Sequence, residues 1–500
     1  MDISSAVLFV VLAAVSMSYA WGMRGTIIGG EKGAMLPGAV MGMLIALFSS
    51  SEVLKDNFFM LSAVGAMSMY LGGCMTYGET LGLSMNSNPP ENFKKSIIAL
   101  VVKGFIWFSL FGAFVGIALN SFAGLLYTVK DFILIFALIP VCALAGYFLL
   151  NKPLDPKNGK FPFIYFSKTR QESWGGLLGI LLVLVAVAAK NKDSFTLNLV
   201  LGAGLSGGIG WAIAQTLQAA ARLPLIKGKR LFEKMNRKKT IDAWKLMEYS
   251  LGAIGGIGIA LTLIAQHDKF SAIAAAIDSR GAINLPLEKY SAVFTAVWLV
   301  LIALDQLQFI IKPRFSLSEL KNQKIVKATL SESEYEKCLK DAERKESSPH
   351  FKRYAFLVEK GEFALYSLIP MFFVLCGSSL VGRLTSFFIL YLVVVQEVVF
   401  GRFRLLKHRR LINTCLILGA VLILLYELAL DTTFSMIATM IMYTIFYDIL
   451  GILHVVPVEK DEKVKLGPFT MLNYCDLSVF GYMSVSGVVS VLLLALAIYF

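Results

Sequence analysis

Apolar residues in this chain gather in long runs separated by short polar breaks. Many of the runs approach the roughly 20 residues that an α-helix needs to cross a hydrocarbon core. They are centred near residues 12, 41, 66, 108, 141, 182, 206, 256, 301, 371, 391, 420, 442 and 490, giving about fourteen candidate spans. Glycine or small polar residues weaken the runs near 66, 206 and 256, so the count carries a margin of about two. The pattern predicts an all-α polytopic integral membrane protein with about fourteen transmembrane helices, some of them broken or re-entrant.

Residues 312–360 interrupt the pattern with a long charged stretch. They divide the chain into an N-terminal membrane region, 1–311, a charged helical insertion, 312–360, and a C-terminal membrane region, 361–500. Within the insertion, Ser331-Glu-Ser-Glu334 has the form of a capping box opening an acidic first turn, which predicts a helix there. Ser18-Tyr19-Ala20 resembles a signal-peptide cleavage site, but no basic residue precedes the first run, so a retained span is expected.

Composition agrees with the pattern. The chain is 57% hydrophobic and 16% charged, with a mean hydropathy of +0.69, which excludes an ordinary soluble globular protein. The net charge of +13 would suit nucleic acid were it not so unevenly distributed. Lysine and arginine crowd into 151–172, 222–245, 312–360 and 402–410, whereas 49–57, 120–131 and 190–195 carry few. That alternation is the positive-inside pattern. It predicts both termini outside, the lipid bilayer as partner and no nucleic acid; the expected location is a cell membrane, in bacteria the inner one. The six cysteines form no CxxC pair and the four histidines are scattered, so neither a metal site nor a cofactor is expected. There is no GxxxxGK[ST] loop, which argues against ATP-driven transport by this chain.

Candidate chemistry lies where polar side chains meet glycine. Trp21 to Pro37 reads WGMRGTIIGGEKGAMLP, with Arg24, Glu31 and Lys32 among five glycines between two apolar runs. Ionisable groups at that depth cost at least a few kcal/mol each and mark sites of use. Arg24 can bind a carboxylate or phosphate through paired N–H bonds. The competing reading is a short interfacial loop with basic anchors. Tyr77-Gly78-Glu79-Thr80 interrupts another run, and a desolvated carboxylate such as Glu79 suits proton or cation exchange. Trp211 and Gln215 share a helix face, with Gln218 close by, and combine a stacking ring with an amide. Glu248, Asp305 and Lys103 also fall within or beside spans. Lys103, the deepest base, needs a carboxylate partner or a wet cavity.

These residues suggest a secondary active transporter of a small polar solute, a sugar or an organic anion, coupled to protons or sodium. Trp21, Arg24, Lys32, Tyr77, Trp211 and Gln215 would bind the solute, and Glu31, Glu79, Glu248 and Asp305 would supply ion coupling. The alternative is a membrane acyl- or glycosyl-transferase acting on a lipid-linked or extracytoplasmic glycan, with His454 or a carboxylate as base.

Overall fold

A computed structural model describes residues 2–24, 30–75, 77–86, 91–162, 164, 166–167, 170–225, 228–233, 243–306, 311–322, 330–386, 465–466 and 469–470, with the backbone alone at Met23, Gly30, Glu31, Gln306, Asn322, 355–360, 465–466 and 469–470. The described chain is nearly all helical; its only strands are the two-residue pair Lys465–Leu466 and Phe469–Thr470. Five helical segments are long and apolar enough to cross a membrane: Ile3–Gly22, Phe93–Phe122, Val129–Asn151, Ser194–Arg222 and Ala243–Ala265. Met35–Leu47, Phe58–Gly73, Trp174–Lys190 and Gly361–Cys376 are apolar but shorter. The spans expected near 391, 420, 442 and 490 lie outside the described residues.

The helices are labelled in chain order as α1 (Ile3–Met23), α2 (Gly30–Gly33), α3 (Met35–Leu47), α4 (Glu52–Asp56), α5 (Phe58–Gly73), α6 (Gly78–Leu83), α7 (Phe93–Phe122), α8 (Val129–Gly146), α9 (Trp174–Lys190), α10 (Ser194–Arg222) and α11 (Ala243–Ala265). Six of them close a ring: α7 packs on α10, α10 on α11, α11 on α1, α1 on α3, α3 on α5, and α5 returns to α7. The α8–α9 pair leans on α7 from outside through α9. At 13 residues, α3 is about 20 Å long, well short of a bilayer core of about 30 Å. Its side chains are all buried, as are those of α5. These two are short helices inside the bundle.

Glycine sets the ring's contacts. A Cβ on Gly104 would lie 2.5 Å from the Gly207 carbonyl oxygen, and one on Gly207 would lie 2.5 Å from that of Gly104. Gly252 and Gly256 of α11 approach the Met17 and Ala13 carbonyls of α1 just as closely. Backbones can meet this way only where side chains are absent, as in small-residue packing between membrane helices. The glycine clusters at 202–210 and 252–258 therefore have a packing role. Ring neighbours run antiparallel: Gly104 meets Gly207 while Gly116 meets Thr196, and Phe9 of α1 stacks on Phe48 just beyond α3 at 4.8 Å. One end of the ring thus gathers the Arg24 break, Asn92, the connection before α9 and Arg222. Outward faces are apolar, with Leu201, Leu205, Ile209 and Ile213 exposed in a row along α10. Exposed apolar area of that kind is compatible with lipid and rare on soluble monomers.

Beyond the ring come α12 (His267–Arg280), α13 (Ser291–Gln306), α14 (Leu317–Asn322), α15 (Glu332–Ser347), α16 (Pro349–Phe363), α17 (Ile369–Cys376) and α18 (Ser379–Leu384). The capping box forms as the sequence predicts, Ser331 and Glu334 satisfying each other's backbone N–H at the start of α15. Phe315, Leu320 and Ala342 make a small apolar cluster apart from the main core.

Replacing Gly207 by leucine should force α7 and α10 apart. Overpacking of this kind costs about 1–3 kcal/mol, measurable as a lower Tm in detergent. Leu205→Ala, on the outward face, should move the Tm little.

Candidate functional site

The end of α1 and the connection between α5 and α6 meet inside the ring. The end of α1 brings Arg24 to the bundle interior, where it is buried. The break between α5 and α6, at 74–77, brings in Tyr77. The Arg24 guanidinium donates to the Tyr77 hydroxyl and stands 4.9 Å from the Tyr77 ring, 5.4 Å from Trp21 and 5.8 Å from Trp107. Trp211 of α10 completes the cage, with its ring 5.6 Å from Tyr77 and 6.4 Å from both Trp21 and Trp107. Each desolvated cation–ring contact contributes up to about 2 kcal/mol.

The cage is short of hydrogen-bond partners. The Trp107 indole donates to the Met69 carbonyl at 2.9 Å. The indole N–H groups of Trp21 and Trp211, both buried, have no protein acceptor. One turn along α10, Gln215 donates to the Leu81 carbonyl at 3.2 Å and to Ser84 at 2.5 Å, but its carbonyl oxygen is unpaired. Neither amide atom of the fully buried Gln218 has a partner. Unpaired buried polar atoms cost about 1–3 kcal/mol each. Several of them lie on α1 and α10.

Next to the cage lies a buried ion pair. Lys103 is one turn from Trp107 on α7. Its ammonium meets Glu172, in the connection before α9, at 2.8 Å with both side chains almost wholly buried, and donates to Thr80 Oγ1 at 2.9 Å. Ser167 donates to the same carboxylate at 2.6 Å. Glu79, half-buried, accepts the Arg170 backbone N–H at 3.2 Å.

The remaining expected residues lie in other groupings. Glu248 pairs with Lys245, whose ammonium also donates to the Gly22 carbonyl at 2.8 Å. Lys32 pairs with Glu362 at 3.0 Å and stands 5.8 Å from the Tyr366 ring; Tyr366 donates to buried Asp305 at 2.7 Å. The structure thus brings Trp21, Arg24, Tyr77 and Trp211 together, with Gln215 and Glu79 on adjoining turns, sets Glu248 in a pair with Lys245, and links Lys32 to Asp305 only through Tyr366. The Glu31 side chain and His454 lie outside the described residues. Trp107 and Glu172 were not foreseen, although Trp107 is four residues from Lys103 and so on its helix face. Among the described residues no group of three His, Cys, Asp or Glu is placed to hold a metal.

At the opposite end of the ring, Asp193 caps α10 and accepts from Asn120 at 3.0 Å and Tyr127 at 2.7 Å. Burial first, and then the Asp193 charge, push the Tyr127 phenol well above its ordinary value.

Comparison with protein-family models, curated proteins and solved structures finds no match to this chain. The class therefore rests on the molecule itself: a helical bundle with five candidate membrane-spanning helices among the described residues, four of them in the ring that encloses a cationic aromatic cage.

Two outcomes follow. Arg24→Gln should lower stability by about 2 kcal/mol, the scale of a desolvated cation–ring contact. Arg24→Lys should recover less than half of that Tm loss, because an ammonium lacks the planar fork. At the other end, the folded state holds the Tyr127 proton above pH about 10, where an unfolded tyrosine loses it. Stability should therefore fall as pH rises through that region, and Tyr127→Phe should flatten the fall.

Proposed function

We propose that this chain is a polytopic membrane protein of about fourteen spans that acts as a secondary transporter of a small polar solute. The observation that carries the reading is the Arg24–Tyr77 contact, which joins the end of α1 to the α5–α6 break over three tryptophans. Transporters bind substrate at discontinuous helices, where freed backbone groups and inward polar side chains face a cavity instead of lipid. Arg24 and the unpaired indole and amide groups suit a sugar or an organic anion. Coupling to protons or sodium falls to Glu79, which adjoins the cage; Glu31, Glu248 and Asp305 are the further candidates. The ring's Arg24 end collects the basic connections 151–172 and 222–245, so it faces the cytoplasm of a cell membrane with both termini outside.

Purified protein should be stabilised by gluconate or glucose, and the shift should vanish in Arg24→Ala. A ligand at a hundred times its Kd adds about 2.7 kcal/mol, an easily measured rise in Tm. Glu79→Gln should fold normally but lose concentrative uptake into proteoliposomes. Stabilisation only by a CoA thioester or a nucleotide-sugar would turn the assignment to a transferase.

A further inference from the structure

The end of the ring opposite Arg24 is crossed by α12. This helix follows α11 after the single residue Gln266 and ends at Gly281, which takes the left-handed conformation at φ +66° that commonly closes a helix. Its 14 residues measure about 21 Å. A ring of six helices at the usual spacing has opposite axes about 16–20 Å apart, so α12 is long enough to reach across. Its contacts run from one side to the other. Near its start, the Phe270 ring stacks on Phe195 of α10 at 6.2 Å and Lys269 donates to Ser194 at 2.8 Å. Near its end, Asp278 accepts from Ser51 Oγ at 2.6 Å and from the Val53 N–H at 3.2 Å, where α4 joins α3 to α5. Arg280 donates to the Gly124 carbonyl, just beyond α7, at 3.3 Å.

The two faces of α12 fit that position. Phe270, Ile273, Ala274 and Ile277 are buried at the i, i+3, i+4, i+7 spacing of one helix face. Asp268, Lys269, Asp278, Ser279 and Arg280 are exposed. The outward face of α10 is apolar, with Leu201, Leu205, Ile209 and Ile213 exposed; that of α12 is polar and suits water, not lipid. Two kinds of fastening hold the helix down. Its apolar face packs on the bundle, and its far end is tied to α4 through the exposed Asp278 carboxylate. Joints at the ends of elements, such as Gln266 and Gly281, are where hinged closures absorb their rotation.

We propose that α12 is the gate of the ring's outer end, closed in this structure, hinged at Gln266 and latched by Asp278 onto Ser51 and Val53. This rests on the transporter reading above and adds the route of access. The outer end is shut here, and a solute passes it only when α12 swings away from α4.

The test uses the full-length protein. Ala274→Cys places a thiol on the buried face of α12. In nanodiscs, a membrane-impermeant maleimide should label it slowly in the folded protein, read by mass spectrometry of the α12 peptide. Asp278→Ala should speed that labelling about fivefold, the effect of roughly one lost hydrogen bond. Ala113→Cys, buried in α7, should stay unlabelled, which separates gate opening from unfolding. No labelling at Ala274→Cys, or labelling indifferent to Asp278→Ala, would overturn the proposal whether or not the protein transports. In proteoliposomes, a short reducible cross-linker on Ser51→Cys/Asp278→Cys should abolish uptake of gluconate or glucose, and reduction should restore it. Neither single variant should respond. Uptake that persists through the cross-link refutes the gate and leaves transport standing. Latch-dependent labelling in a protein that takes up neither solute refutes transport and leaves the moving lid standing. If Ala274→Cys does not fold, hydrogen exchange of the α12 amides, faster in Asp278→Ala than in wild type or unchanged, decides in its place.

Discussion

A helix that stops inside an apolar bundle leaves backbone N–H and C=O groups that must find partners there. The rest of the site depends on how this chain meets that demand. At the α5–α6 break Ser173 donates to the Cys74 carbonyl at 3.0 Å. Near the end of α1 Lys245 donates to the Gly22 carbonyl. Each segment is thus held by a side chain from another part of the fold, and the two are joined to each other by Arg24 and Tyr77. Moving either would pull the guanidinium away from its rings.

The ring of helices makes such a junction feasible. Glycine contacts bring α7, α10, α11 and α1 so close that their backbones nearly touch. Large aromatic side chains fill the inside, where Trp21, Trp107, Phe108 and Trp211 pack together. Glycine between the helices and tryptophan within them serve one purpose. The first sets the ring's radius and the second fills it, presenting the faces of Trp21 and Trp107 to the cation.

The sequence pointed to the α5–α6 break, because Tyr77-Gly78-Glu79-Thr80 interrupts an otherwise apolar run and α5 ends just before it, at Gly73; much of the expected break at Trp21–Pro37 lies outside the described residues. The sequence also showed that Lys103 needed a partner. It could not show which one, since Glu172 is 69 positions away in a stretch that reads as a basic cytoplasmic connection. Only the fold turns that side chain back into the bundle. Trp107 was hidden for a different reason. It sits within a continuous apolar run, where an aromatic residue gives no signal beyond hydrophobicity. Lys32 and Glu31 are adjacent to the Arg24 motif in sequence, yet Lys32 reaches across to Glu362 and Tyr366. Neighbourhood along the chain suggests one site where the fold builds two assemblies.

The ion pairs have a common logic. Replacing a buried pair by apolar residues often leaves a protein as stable or makes it more so, whereas removing one partner is severe. Stability alone is thus a weak reason to retain Lys103 with Glu172. A salt bridge whose partners come from different segments, α7 and the connection before α9, fixes those segments against each other. Lys245 and Glu248 lie three residues apart on one helix, so their pairing adds no such constraint between elements. The distinction between a pair that spans elements and one that stays within an element is what gives Lys103–Glu172 a part in placing the connection before α9.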